Sequence, residues 1–162
     1  MTTQIDSANI PIACSLSALT PSATFTVGQG AAEVQNSAGY VDAIVSVLPI
    51  LGGATAPVVG QYIGLWVAGQ NTSFVTNPVA GLNGTDGSAN LVNASTLNSL
   101  IPVDVAIVTV ATASLSYYIQ SFSVAQLFGG VMPKFWELYL AHNMAGSLGA
   151  NTNRFSYVGI TY

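Results

Sequence analysis

Charge is what this chain has least of. Of its 162 residues two are basic, Lys134 and Arg154, and six are acidic, so ionisable carboxylates and cations make up 5% of the sequence, against about 25% in ordinary soluble domains. Two cations cannot neutralise a row of phosphates, which excludes nucleic-acid binding by counterion release. The same shortage excludes adhesion to anionic lipid surfaces. With a net charge of −4, the polar surface must come from Ser, Thr, Asn and Gln, which hydrate well but repel neighbouring molecules weakly.

Cysteine and histidine are almost as scarce. Cys14 is alone, so no internal disulfide forms, and with no His or Cys beside it the ligand set for a structural metal is missing. It reads as a small apolar residue of the interior. His142 is the one imidazole, and any Ser or Cys triad would have to be built on it with a distant partner. No G-x-S-x-G occurs. The acidic residues Asp6, Glu33, Asp42, Asp86, Asp104 and Glu137 fall in six different segments, so a glycosidase-like carboxylate pair would have to assemble in space. The expectation is a protein without catalytic residues, metal or cofactor.

Targeting and membrane signals are also thin. MTTQIDSANIPIACSLSALTPSA carries no Lys or Arg and has prolines at 11 and 21, unlike a secretory leader. The uncharged run 43–85 is interrupted by Pro49, Gly52, Gly53, Pro57, Gly60 and Gly64, which cut any helical span into strand-length pieces. Alternating residues in FSYVGITY resemble the closing strand of a small barrel, but the expectation is no membrane. The Asn-x-Ser/Thr triplets at Asn71, Asn83 and Asn93 are what a chain rich in Asn, Ser and Thr produces by chance.

What is present is a succession of β-branched and aromatic runs separated by Gly, Pro and Asn clusters, the pattern of short strands joined by turns. It predicts an all-β fold, an antiparallel β-sandwich or jelly-roll-like domain over 24–162, preceded by an extended N-terminal arm over 1–23. Strands are expected at 24–29, 40–49, 60–68, 103–110, 116–123, 134–143 and 155–162. In GQYIGLWVAG, Tyr62, Gly64, Trp66 and Ala68 share one side, and Ile63, Leu65 and Val67 the other. Likewise Val103, Val105 and Ile107 oppose Asp104, Ala106, Val108 and Val110. Strands apolar on both faces imply a second face buried against copies of the chain, a homo-oligomer, with a trimer as the expected form.

Ser123 to Phe128, followed by two glycines, reads as a single helical turn with Ser123 as its N-cap. The stretch 77–99 reads as a long binding or mobile loop with few core candidates. Its tip, with Asn83 and Asp86, lacks the acidic ligands of a calcium site and is read as a turn. In VMPKFWELYLAHNMAGSLGA, strand periodicity puts Phe135, Glu137, Tyr139 and Ala141 on one face and Trp136, Leu138, Leu140 and His142 on the other, so Glu137 and His142 cannot form an acid/base pair. Trp66, Trp136 and His142 are assigned structural roles. Lys134 and Glu137 are read as charges guarding a sheet edge.

The segment SFSVAQLFGGVMPKFWELYLAHNMAGSLGA, followed by FSYVGITY, resembles the C-terminal part of small structural proteins of tailed-bacteriophage virions. There a short turn, an F-G-G-x-x-P, a Trp-bearing strand, Asn and Gly, and a final aromatic strand follow one another. The resemblance covers about a third of the chain. It implies a virion role, foremost a capsid decoration or cement protein on the outer capsid surface, clamping neighbouring major capsid subunits. The alternative it implies is a tail or fibre module that binds a host receptor. On the first reading Ile5, Ile10 and Ile12 of the arm add a strand to a neighbouring subunit. On the second, the 77–99 loop with Asn83 and Asp86, together with Tyr117 and Tyr118, faces the host. A glycan hydrolase using scattered carboxylates is the reading from a third class.

Overall fold

A computed structural model of the chain describes residues 5–161. The first four residues of the expected arm and the last residue of the expected closing strand lie outside them. The early strands are β1 (Ile5–Asp6), β2 (Ile10–Ile12), β3 (Val27–Gly30), β4 (Val34–Gln35), β5 (Asp42–Val47) and β6 (Ile50–Leu51). Then come β7 (Tyr62–Gln70), β8 (Gly87–Asn90), β9 (Ile101–Ile107), β10 (Ser116–Tyr117) and β11 (Phe122–Ser123). The helical turn α1 (Val124–Leu127), β12 (Phe135–His142) and β13 (Phe155–Thr161) complete the order. The all-β expectation is met: these strands pair antiparallel throughout.

They form a sandwich of two main sheets. One runs β1-β13-β5-β11, with β2 also on β13; the other runs β8-β3-β12-β7-β9, with β4 also on β12; β6 and β10 form a separate pair. At the centre lies β12, all eight residues of which are buried. Its eight-residue register with β7, from Phe135 opposite Gln70 to His142 opposite Ile63, is the longest in the molecule. The two apolar faces read in the sequence follow from this position, because a strand with neighbours on both edges and layers on both faces has no side left for water.

Trp136, Leu138 and Leu140 face the first core with Ile63, Leu65 and Val67, against Ala43, Val45, Phe155 and Tyr157 of the other sheet. Phe135, Tyr139 and Ala141 face a second core, closed by Phe25, Phe74, Leu82, Leu91 and Leu100. For β12, that second layer takes the place that its two apolar faces had suggested for copies of the chain. The chain covers the second face of β12 itself, using the segment expected to be a loop with little core. Within it, β8 pairs with β3, and a 3₁₀ helix, Ala94–Ser99, starts from an Asn93 capping box completed by Thr96. Polar and turn residues on either side hid the contribution of Leu82 and Leu91, and of Phe74 just before the stretch.

The expected arm is corrected too. Residues 10–12 do add a strand to a sheet edge, but it is their own β13, with Ile12 opposite Phe155. Beyond it Ile12, Cys14 and Leu16 are buried while Ala13, Ser15 and Ser17 are exposed, a period-2 burial that makes this stretch part of the sandwich. Ile12 is 2% exposed and unavailable to a neighbour. β1 lies on the far end of β13, Ile5 opposite Thr161.

The stretch expected as one strand at 116–123 is two, β10 on β6 and β11 on β5. Ser123 caps α1 as read, its Oγ accepting from the Gln126 N–H at 3.0 Å. Gly129 and Gly130, at φ of 69° and 87°, end the turn in a conformation other residues adopt at a cost.

Candidate functional site

Four carboxylates are occupied in tying the chain to itself. Asp42 accepts from the Ala43 and Ala125 N–H groups at 2.7 and 2.9 Å and from Ser123 Oγ at 2.7 Å, fastening α1 to β5. Asp86 accepts from the Ser15 N–H at 2.8 Å and from Gln29 Nε2 at 2.7 Å, pinning the N-terminal segment to β3. Asp104 accepts from the Val105 N–H at 2.8 Å and the Gln120 N–H at 3.0 Å. Glu33 accepts from Ser73 Oγ at 2.7 Å and the Phe74 N–H at 2.8 Å. Charge-assisted bonds of this kind are stronger than neutral ones, which is how so few ions hold so many turns.

Glu137 is the exception. It was expected at a sheet edge; β12 is instead the central strand, and Glu137 is 1% exposed. Its Oε2 accepts from the Gly84 N–H at 2.8 Å, while Oε1 is buried without a partner. Burial is the main reason its carboxyl is pushed up to about 7, with the Gly84 bond opposing and the Glu33 charge adding to the rise. Glu33 and Glu137 are therefore a carboxylate pair that the fold assembles. It lies beneath the second layer, not in an open cleft. The signal was present in the sequence: an acidic residue in the middle of the strand with the most continuous apolar character.

His142 lies on the opposite face from Glu137 and is fully buried. Its Nε2 lies 2.9 Å from the Leu19 carbonyl oxygen, and its Nδ1 accepts from the Met144 N–H at 3.3 Å. That pair of partners assigns the neutral ring with the proton on Nε2, and burial lowers its pKa. Burial likewise pushes the Cys14 thiol up, with the Asp86 and Glu137 charges adding to the effect, so it is no nucleophile. Among the described residues no three His, Cys, Asp or Glu side chains gather as a metal site.

Of the residues assigned to recognition, Asn83 is exposed and spends its Oδ1 on the Thr85 N–H and Oγ1. Asp86 is exposed but bound as described. Ile10 is half-buried in β2. Tyr117, expected on the surface, is buried against the first core. Tyr118 alone is fully presented, 71% exposed. Trp66 leans on Phe25 and Tyr139 with ring centroids 5.8 Å apart in both cases. Trp136 meets Tyr157 edge-on at 5.6 Å. Both tryptophans are packing residues.

The surface feature that sequence reading missed lies along β9, the outer strand of the larger sheet. Its first half is guarded: Pro102 offers no N–H, a bulge interrupts the register between Leu65 and Trp66, and the Asp104 carboxylate occupies the Val105 N–H. The same bulge breaks the expected alternation, so Val103 packs on the first core with Ala106 and Val108. Val105 and Ile107 are left exposed, as are Val110, Leu115 and Tyr118. These five border a groove of about 320 Å³ between the second half of β9 and the segment leading into β10. Val58 and Val59, each 60% exposed, sit in the adjoining turn, where the Gly60 N–H donates to the Val108 carbonyl.

Compared with family models, with curated proteins and with solved structures, the chain matches none.

Proposed function

We propose that this protein is a structural subunit of a larger particle, a decoration or cement protein of a tailed-phage capsid, acting as a homo-oligomer and without catalysis. The observation that carries the reading is the row of exposed apolar side chains bordering the groove along the second half of β9, Val105, Ile107, Val110, Leu115 and Tyr118, with Val58 and Val59 in the adjoining turn, on a chain with two cations in all. Contiguous apolar surface of this kind marks a contact with protein, and a surface so poor in charge supplies little repulsion to keep copies apart. The resemblance of the segment from Ser121 onward to virion proteins supplies the particle. The contact proposed from the sequence moves from the N-terminal segment, which the chain uses internally, to this edge. Repetition around a shell then lets modest contacts hold the lattice by avidity.

Replacing Val105 and Ile107 together by Glu tests the proposal, because both side chains are exposed on an edge strand. Wild-type protein is expected to sediment as an oligomer and to bind expanded capsids, and the double variant to run as a folded monomer that does not bind. A wild-type chain that stays monomeric at high concentration and ignores capsids sinks the reading. Binding to host cells in place of capsids moves the protein to the tail or fibre, with Tyr118 as the residue to change next.

A further inference from the structure

We propose that Glu137 is a proton-controlled latch beneath the layer formed by residues 71–91: with its carboxyl protonated the layer stays shut, and loss of the proton lets water in under it. The proposal is independent of the assembly reading and rests on how the carboxyl is housed.

Three observations fix the housing. Oε1 lies so close over Gly30 that a Cβ there would stand 2.7 Å from it, with Leu82 and Ala89 beside it, and it has no hydrogen-bond partner. Gly84 is gripped from both ends, its N–H by Glu137 and its carbonyl by the Glu33 N–H at 3.0 Å. A Cβ on Gly84 would stand 3.2 Å from Glu33 Oε2, so both carboxyl groups border the same turn. Neither cation relieves them: the Lys134 ammonium sits over the Phe135 ring at 5.7 Å, and Arg154 donates to the Ala150 carbonyl.

The titratable groups around Glu137 are acidic or weakly so. Glu33 comes from the segment before β4, Asp86 from the turn before β8, and Cys14 from the N-terminal segment, where it feels both Asp86 and Glu137. Tyr139 shares the face of β12 and donates its hydroxyl to the Phe25 carbonyl at 2.7 Å. β7 contributes apolar Ala68 opposite Glu137, and β3 contributes Gly30, which has no side chain to bond the carboxyl. A charge on Glu137 in this setting has one donor, a bare oxygen and a like-charged neighbour, an arrangement that makes ionisation costly while the turn above it is closed.

The direction of the pH dependence follows. The carboxyl, ordinarily at 4.5, titrates at about 7 in the closed state, so the closed layer holds a proton that the opened one releases. Opening is least favoured below the ordinary carboxyl range, grows by up to roughly tenfold per pH unit across that interval, and levels off above about pH 7. The experiment follows the intrinsic-rate-corrected exchange protection of the Phe74 and Gly84 amides in full-length protein, together with the ¹³C shift of the Glu137 carboxyl.

Between pH 5 and 7 the expected result is a fall of roughly 40-fold in protection, with the carboxyl signal titrating in step. In Glu137→Gln the protection is expected to be flat with pH. In Glu33→Gln the Glu137 midpoint is expected to move towards acid. The proposal is overturned by a Glu137 carboxyl already ionised at pH 5, by flat wild-type protection, or by a Glu137→Gln protein with the wild-type profile. Should Glu137→Gln fail to fold, the wild-type titration and the Glu33→Gln shift still decide.

Discussion

The first face of the larger sheet is covered by strands of a second sheet, whereas the second face is covered by turns and a 3₁₀ helix. Each cover is matched to what it buries. On the first face Trp136, Leu138 and Leu140 meet Val45, Phe155 and Tyr157, and regular strands supply the aliphatic and aromatic surface that such a face needs. The one polar group at its end, His142, is satisfied by backbone on both nitrogens. On the second face the cover brings its own unpaired amides, and Glu137, Glu33 and Tyr139 receive or bind them. Strands saturate their own hydrogen bonds, so the face beneath them can be greasy; turns do not, so the face beneath them carries side chains that bond to backbone.

The difference is broken most severely by cavities. Trp136→Ala is expected to cost about 3–5 kcal/mol and to lower exchange protection on both faces together, since Trp136 packs the sandwich. Phe74→Ala, which removes an equally buried ring, is expected to strip protection from 71–91 while the first core keeps its own. Equal loss on both faces in the second variant would show that the two layers unfold as one unit.

Acid and base sharpen the comparison next. His142 is held neutral, with its pKa lowered, so its contribution to stability is complete above the ordinary value of 6.5 and is lost as pH falls below it. Glu137 works in the opposite sense, its contribution complete below 4.5 and lost as pH rises towards about 7, a swing on the order of 3 kcal/mol. The two slopes overlap between these values and partly cancel in the wild type. Denaturant midpoints against pH should therefore rise towards neutrality in Glu137→Gln and fall towards neutrality in His142→Gln. Parallel profiles in the two variants would remove the distinction between the faces.

The smallest effect is local. Phe25 adopts φ of 57°, a left-handed conformation rare for an aromatic residue, and is held by stacking on Tyr62 at 4.5 Å and by the Tyr139 hydroxyl on its carbonyl. Tyr139→Phe is expected to cost about 1–2 kcal/mol and to raise amide exchange at 22–27 with the first face unchanged. A wild-type exchange pattern there would assign the restraint to the Tyr62 stack alone.

Sequence periodicity located the central strands because their apolar alternation is a local property. Residues 135–142 in fact form β12, residues 62–70 form β7, and the two faces of each were readable. Ser123 and its glycine stop were legible for the same reason. What escaped depends on partners far along the chain. Glu137 looked like an edge charge until β4 and β3 were placed beside it. Tyr117 looked exposed until β6 received it. Ile12, Cys14 and Leu16 looked like an arm because Pro11 and intervening polar residues resemble a linker until β13 lies alongside. Asn151 carried no signal at all, yet it is fully buried, accepts from the Leu51 N–H at 2.7 Å and donates back to the Leu51 carbonyl at 2.8 Å.

The pairing of β2 with β13 carries a consequence for how the molecule is made. Residues 10–12 wait for partners at 155–157, so one sheet stays open-edged until residues 155–157 have emerged from the ribosome. Contacts that close so large a loop are entropically expensive and form late. During synthesis the nascent β5 and its neighbours therefore expose a pairing edge that β13 later fills, and that interval, not the finished fold, is when this sparsely charged chain is most exposed to misassembly.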